Sequence, residues 1–126
     1  MTISISKVGQ IGIPVKNVDR AISFYHETLG LSLLFQTDTM AFLESNGLRI
    51  LLSLPEKEEY ATASSVVYFQ VDDIEDTYDQ LAKKKVVFRG EPHVVSKMGN
   101  VETWMVFFYD TEGNTHAFIS EVEGNS

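Results

Sequence analysis

The stretch Ile11-Gly-Ile-Pro-Val15-Lys-Asn17-Val18-Asp-Arg-Ala21-Ile22-Ser-Phe-Tyr25-His-Glu-Thr-Leu29-Gly30 decides the fold. Ile11, Ile13 and Val15 alternate with Gly12 and Pro14, the period of two that gives a strand one apolar face. Asn17 is an N-cap residue, able to accept a hydrogen bond from the first helical turn. Val18, Ala21, Ile22, Tyr25 and Leu29 then fall on one helical stripe, and Gly30 supplies the C-terminal stop. The same plan returns 56 residues later. Val67, Phe69 and Val71 alternate with Tyr68 and Gln70, Asp73 takes the capping place, and Ile74, Thr77, Tyr78, Leu81 and Ala82 form the stripe.

Strand-like segments follow each helix. They are 31–35, 40–43 and 48–54 in the first half, and 86–88, 93–95, 102–109 and 115–120 in the second. Each half has a turn before its last strand, Glu44-Ser45-Asn46-Gly47 and Asp110-Thr111-Glu112-Gly113-Asn114. Both supply the Asn or Gly that a left-handed turn position favours. The chain therefore reads as α+β, a single domain over 1–126 made of two βαβββ modules, 7–54 and 65–121, joined by a linker at 55–64. A helix covers only one sheet face in each half. Two such halves can pair into one curved mixed sheet with a cup. The apolar series of the first strands should face the helices, leaving Gln10, Gly12, Pro14, Val66, Tyr68 and Gln70 to line the cup.

Composition narrows the function classes. The chain has 126 residues, 44% of them hydrophobic, a net charge of −8 and no cysteine. This suits a folded domain, and it excludes disulfides, thiolate metal sites and a cysteine nucleophile. The acidic balance disfavours nucleic acid, whose phosphates require Lys and Arg. The charge is uneven: residues 1–60 hold five bases and seven acids, residues 61–126 five bases and eleven acids. Much of the excess is Asp72, Asp73, Glu75, Asp76 and Asp79, which suit the first turns of a helix, with Lys83, Lys84 and Lys85 at its far end. The longest uncharged run, 60–71, spans 12 residues, too short to cross a bilayer. No signal peptide is visible, so a soluble cytoplasmic protein is the expectation. Nucleotide fingerprints, phosphate loops and serine-hydrolase contexts are missing as well.

The chain resembles the vicinal oxygen chelate superfamily, also called the glyoxalase/bleomycin resistance protein/dioxygenase family. The resemblance rests on Gln-Ile-Gly-Ile-Pro-Val-Lys-Asn-Val-Asp-Arg-Ala-Ile-Ser-Phe-Tyr at 10–25 with Leu29-Gly30-Leu31, on Val-Tyr-Phe-Gln-Val-Asp-Asp-Ile at 67–74, and on Trp-Met-Val-Phe-Phe-Tyr-Asp-Thr-Glu-Gly-Asn at 104–114. It implies paired βαβββ modules, a homodimer and a ligand site in each cup. It also implies where metal-dependent members carry their ligands, one on the first and one on the last strand of each module. Those positions fall on Gln10, Leu51, Val66 and Ala117. Three of the four have hydrocarbon side chains, and one neutral amide does not hold Zn²⁺, Ni²⁺ or Fe²⁺. A one-residue slip on the last strand would offer His116 instead of Ala117, but the alternation places His116 beside Phe118, toward the helix.

The expectation is accordingly a small-molecule-binding member with no metal and no cofactor, similar to the family's antibiotic-binding proteins. The alternative is a metal-dependent lyase, isomerase or dioxygenase of the glyoxalase type, so enzymatic activity stays open. Five residues are the candidates for ligand contact. Gln10 holds a polar amide at a cup-lining place, unless neighbouring backbone satisfies it. Tyr68 faces the cup by period, for a ligand or for a dimer interface. Arg49 shares a strand face with Leu51 and Ser53, and either pairs an anionic group or lies at an exposed edge. His93 follows Gly90-Glu91-Pro92 and is either an acid–base or a surface group. Trp104 lines the cup or packs in the core.

Overall fold

A computed structural model describes residue 3 and residues 7–55 and 65–123. The chain divides into two compact units, Met1–Ser64 and Ser65–Ser126. Apart from Pro55, the linker expected at 55–64 lies outside the described residues.

The first unit runs β1 (Gln10–Pro14), α1 (Val18–Ile22), β2 (Ser32–Gln36), β3 (Met40–Ser45) and β4 (Leu48–Ser53). Its sheet has the order β1-β4-β3-β2, with β1 parallel to β4 and the other pairs antiparallel. The Asn17 side chain caps α1 by accepting from the Arg20 amide at 2.9 Å. Ile13, Val15, Ala41, Leu43, Ile50 and Leu52 are buried with Val18, Ala21 and Ile22 of α1, which packs on β3 and β4. Asn46 and Gly47 join β3 to β4, both left-handed (φ 48° and 87°), the geometry that a two-residue hairpin loop needs to match strand twist.

The helix differs from the expected single α-helix. From Ser23 to Thr28 it opens into a π turn. The Leu29 amide donates to Phe24 C=O and the Leu31 amide to Tyr25 C=O, so each hoop encloses more residues than an α turn. Both Phe24 and Tyr25 are buried, edge to face, where the expected stripe held Tyr25 alone.

The second unit repeats the order with β5 (Tyr68–Gln70), α2 (Ile74–Lys83), β6 (Val87–Met98), β7 (Val101–Tyr109) and β8 (Thr115–Glu123). Its sheet order is β5-β8-β7-β6, again with one parallel pair, β5 with β8. Asp73 caps α2 by accepting from the Asp76 amide, and Glu75, Asp76 and Lys83 sit at the ends that the helix dipole favours. Ile74 and Leu81 are buried, and the acidic residues of the entrance are exposed. The core is aromatic: Phe108 stacks on Phe118 at 4.3 Å between ring centres, and Phe69 and Phe88 flank the pair. The segments expected as two strands near 86–88 and 93–95 form one strand, β6. Its pairing with β7 shifts between Arg89 and His93 and again between Val94 and Ser96, so Gly90 and Pro92 distort the strand without ending it.

The α+β class and the two βαβββ orders thus match the sequence reading. No helix among the described residues is long and apolar enough to cross a membrane.

Candidate functional site

In each unit the helix covers one sheet face and leaves the other open. The first unit's open face is set by its register. Gln10 on β1 pairs with Arg49 on β4, and Arg49 with Glu44 on β3, forming one row. The next row is Gly12, Leu51, Phe42 and Phe35, and the third is Pro14, Ser53 and Met40. Gln10 and Arg49 are exposed, while Leu51 and Phe42 are half-buried. The Arg49 guanidinium lies 5.7 Å from the centre of the Phe42 ring, within cation–π range. It makes no ion pair with a described carboxylate, although Glu44 is its cross-strand neighbour. A hollow of about 710 Å³ adjoins the second and third rows, lined mainly by Gly12, Pro14, Met40, Leu51, Ser53 and Leu54. A Cβ placed on Gly12 would meet no atom within 4 Å, so the floor there is open space.

The second unit's open face carries Tyr68 and Gln70 on β5, Ala117 and Ile119 on β8, Phe107 and Met105 on β7, and Arg89 and His93 on β6. Tyr68 is 52% exposed. Tyr68 and His93 share this face but stand on its two edge strands. The His93 ring sits 2.9 Å through Nδ1 from Glu91 C=O, a local contact on an exposed strand.

Trp104 differs from the cup-lining alternative. Its register partner on β8 is Ser120, which puts it on the side of Val106 and Phe108, the helix-bearing face. There it borders a separate hollow of about 390 Å³ with Asp72, Asp73, Glu75 and Glu102. The run Trp-Met-Val-Phe-Phe has no polar alternation, so its faces cannot be assigned from sequence alone.

Of the five candidates, then, the fold brings Gln10 and Arg49 side by side. Phe42 was missed. Its place is derivable, because a two-residue loop at Asn46-Gly47 fixes the hairpin register and sets Phe42 opposite Leu51.

The positions that the family resemblance marks for metal ligands do not fit a divalent cation. Leu51 lies between Gly12 and Phe42, and Ala117 between Tyr68 and Phe107. His116 points to the opposite face, fully buried, and its Nδ1 accepts from the Val67 amide at 3.1 Å. Among the described residues, no three His, Asp or Glu side chains gather as a ligand set.

The turn before β8 holds a buried polar cluster. Asp110, Glu112 and Asn114 are buried. Asp110 accepts from the Glu112 and Asn114 amides and from the Asn114 side chain, each at 2.8 Å. These bonds knit the turn shut and point its carboxylate inward, so the cluster supports β8 and takes no place on the open face.

A family model described as the Glyoxalase/Bleomycin resistance protein/Dioxygenase superfamily matches residues 7–118, and the chain belongs to that superfamily. It is similar to a glyoxylase-like domain-containing protein of Didymella fabae, 28% identical over 130 aligned residues that cover 90% of this chain and 93% of the relative. Among solved structures it resembles a superfamily member from Sphaerobacter thermophilus, with a TM-score of 0.78, 21% identity and coverage of 92% of this chain and 98% of the other. It also resembles lactoylglutathione lyase from Agrobacterium tumefaciens, with a TM-score of 0.71, 16% identity and coverage of 92% and 94%. At these identities the likeness to the solved structures is one of fold, and a fold of this kind hosts several chemistries.

Proposed function

We propose that this protein binds a small organic molecule on the open face of its first sheet and does so without a resident metal. One observation carries the reading. The Gln10–Arg49 row provides polar contacts beside the apolar row of Gly12, Leu51 and Phe42, and a hollow of about 710 Å³ begins at Gly12 and Leu51 of that apolar row. Concave, largely apolar ground with a few placed polar groups is what a ligand site requires. The hydrocarbon side chains of Leu51, Val66 and Ala117 support the metal-free part of the reading. The reading includes a homodimer in the cytoplasm. The dimer rests on the family resemblance, and the compartment on a cysteine-free composition.

Metal analysis of purified, untagged protein, coupled to a thermal-shift screen, tests the proposal. Substoichiometric metal and a ligand-induced shift that EDTA leaves unchanged are expected. Stoichiometric metal with a lyase, isomerase or dioxygenase activity that EDTA abolishes would replace the binding reading with the metal-dependent one.

A further inference from the structure

Gln10 and Arg49 are nearest neighbours on parallel strands, and both side chains are exposed. Among the described residues neither has a hydrogen-bond or ion-pair partner for its side chain. For Arg49 this is a choice of conformation, because Glu44 stands directly across the strand pair and the guanidinium lies over Phe42 instead. The ring sits 5.7 Å from the guanidinium carbon and uses none of its N–H groups as a hydrogen-bond donor to oxygen, so they can serve a planar, two-point partner. The Gln10 amide adds a donor in the same row. The adjoining row and hollow are apolar, and Gly12 removes the side chain that would fill the near end.

Covering this surface has a consequence. A ligand body seated on Gly12, Leu51 and Phe42 would shield Arg49 from water, and a shielded guanidinium needs an acceptor. A cationic or purely apolar ligand would strand it. We propose that the ligand of this face carries a carboxylate, bound by Arg49 and Gln10, on an apolar body about the size of one or two rings. The inference rests on the reading of this face as a ligand-binding surface and adds the charge of the ligand to it.

Three probes of one shape separate the terms: 2-naphthoate, 2-naphthalenemethanol and 2-naphthylmethylamine. They would be titrated into isotopically labelled full-length protein and followed by amide NMR shifts at residues 10–12, 42–44 and 49–51. The naphthoate should bind about tenfold tighter than the alcohol, as one charge-assisted pair would give, and the amine should bind most weakly. Arg49→Gln should abolish the preference for the acid and keep the binding of the alcohol. Gly12→Val, whose new Cβ meets no atom within 4 Å, should weaken acid and alcohol together. An amine that binds as tightly as the acid, or an acid preference that survives Arg49→Gln, would overturn the carboxylate and leave the binding face standing. If none of the three probes shifts these residues, the binding face falls with it.

Discussion

The backbone N–H of Val67 donates to Nδ1 of His116 at 3.1 Å, tying residues 49 apart in sequence. Because Nδ1 accepts, the neutral ring carries its proton on Nε2, 4.0 Å from Asp110 Oδ2. The ring is fully buried between Phe69 and Phe108. Burial pushes its pKa below the ordinary value, against a smaller opposing pull from the Asp110 charge. The unfolded chain therefore takes up a proton in a range where the folded one does not. Stability is full above about pH 6.5 and falls as the pH drops below it. Denaturant midpoints measured at pH 7.5 and pH 5.5 should show this loss, and His116→Gln, which keeps an acceptor for Val67 but does not titrate, should show less of it. Equal slopes in the two proteins would remove His116 from the account.

Asp110 holds the turn before β8 through three hydrogen bonds at 2.8 Å. Asp110→Ala leaves the Glu112 and Asn114 amides without that acceptor in a buried place. A loss of about 2–4 kcal/mol is expected, because these two amides and the Asn114 side chain all lose this acceptor. Urea unfolding would measure it, and Asp110→Asn, which keeps one acceptor oxygen, should lose less.

Phe108 is fully buried and packs against Phe69, Phe88 and Phe118. Phe108→Ala should cost about 3–5 kcal/mol, the usual range for emptying an aromatic site in a core, and Phe108→Leu markedly less. Urea or thermal unfolding of the pair measures the difference. If both variants lose under 1 kcal/mol, roughly a surface-like cost, the aromatic cluster is not the core of the second unit.

Gly30 ends the helical segment with φ +83°, and a Cβ there would touch nothing within 4 Å. The cost of Gly30→Ala is therefore backbone strain alone, about 1–2 kcal/mol. Gly12 also has open space around it but needs no left-handed backbone. Gly12→Ala should leave the thermal midpoint close to wild type. The two variants, compared by calorimetry, separate conformational from steric need.

The fold was largely legible because its signals are local and occur twice. Period-two strands run into capped helices at Asn17 and Asp73, and both caps accept the expected amide. The candidate site was legible in part. Gln10 and Arg49 come together because β1 lies parallel to β4, a long-range pairing that no local pattern contains. Trp104 could not be placed because five apolar residues in a row hide the strand's period. The Asp110–Asn114 turn reads from sequence only as a turn, and the burial of its mutually bonded polar groups is not legible there. Side chains that serve as each other's solvent cannot be told from hydrated ones by counting residue types.

The π turn at Ser23–Thr28 also bears on how this chain can be edited. A π turn acts as one surplus residue lodged in an α-helix, and it shifts the rotational phase of everything after it. Deleting a residue between Ser23 and Thr28 would let the segment close to ordinary α geometry while delivering Leu29 and Gly30 in the same phase to β2. Deleting one between Val18 and Ile22 would rotate Ala21 or Ile22 off the sheet. The segment is thus a built-in slack point: length can change there at little cost to the core, and a few residues earlier it cannot.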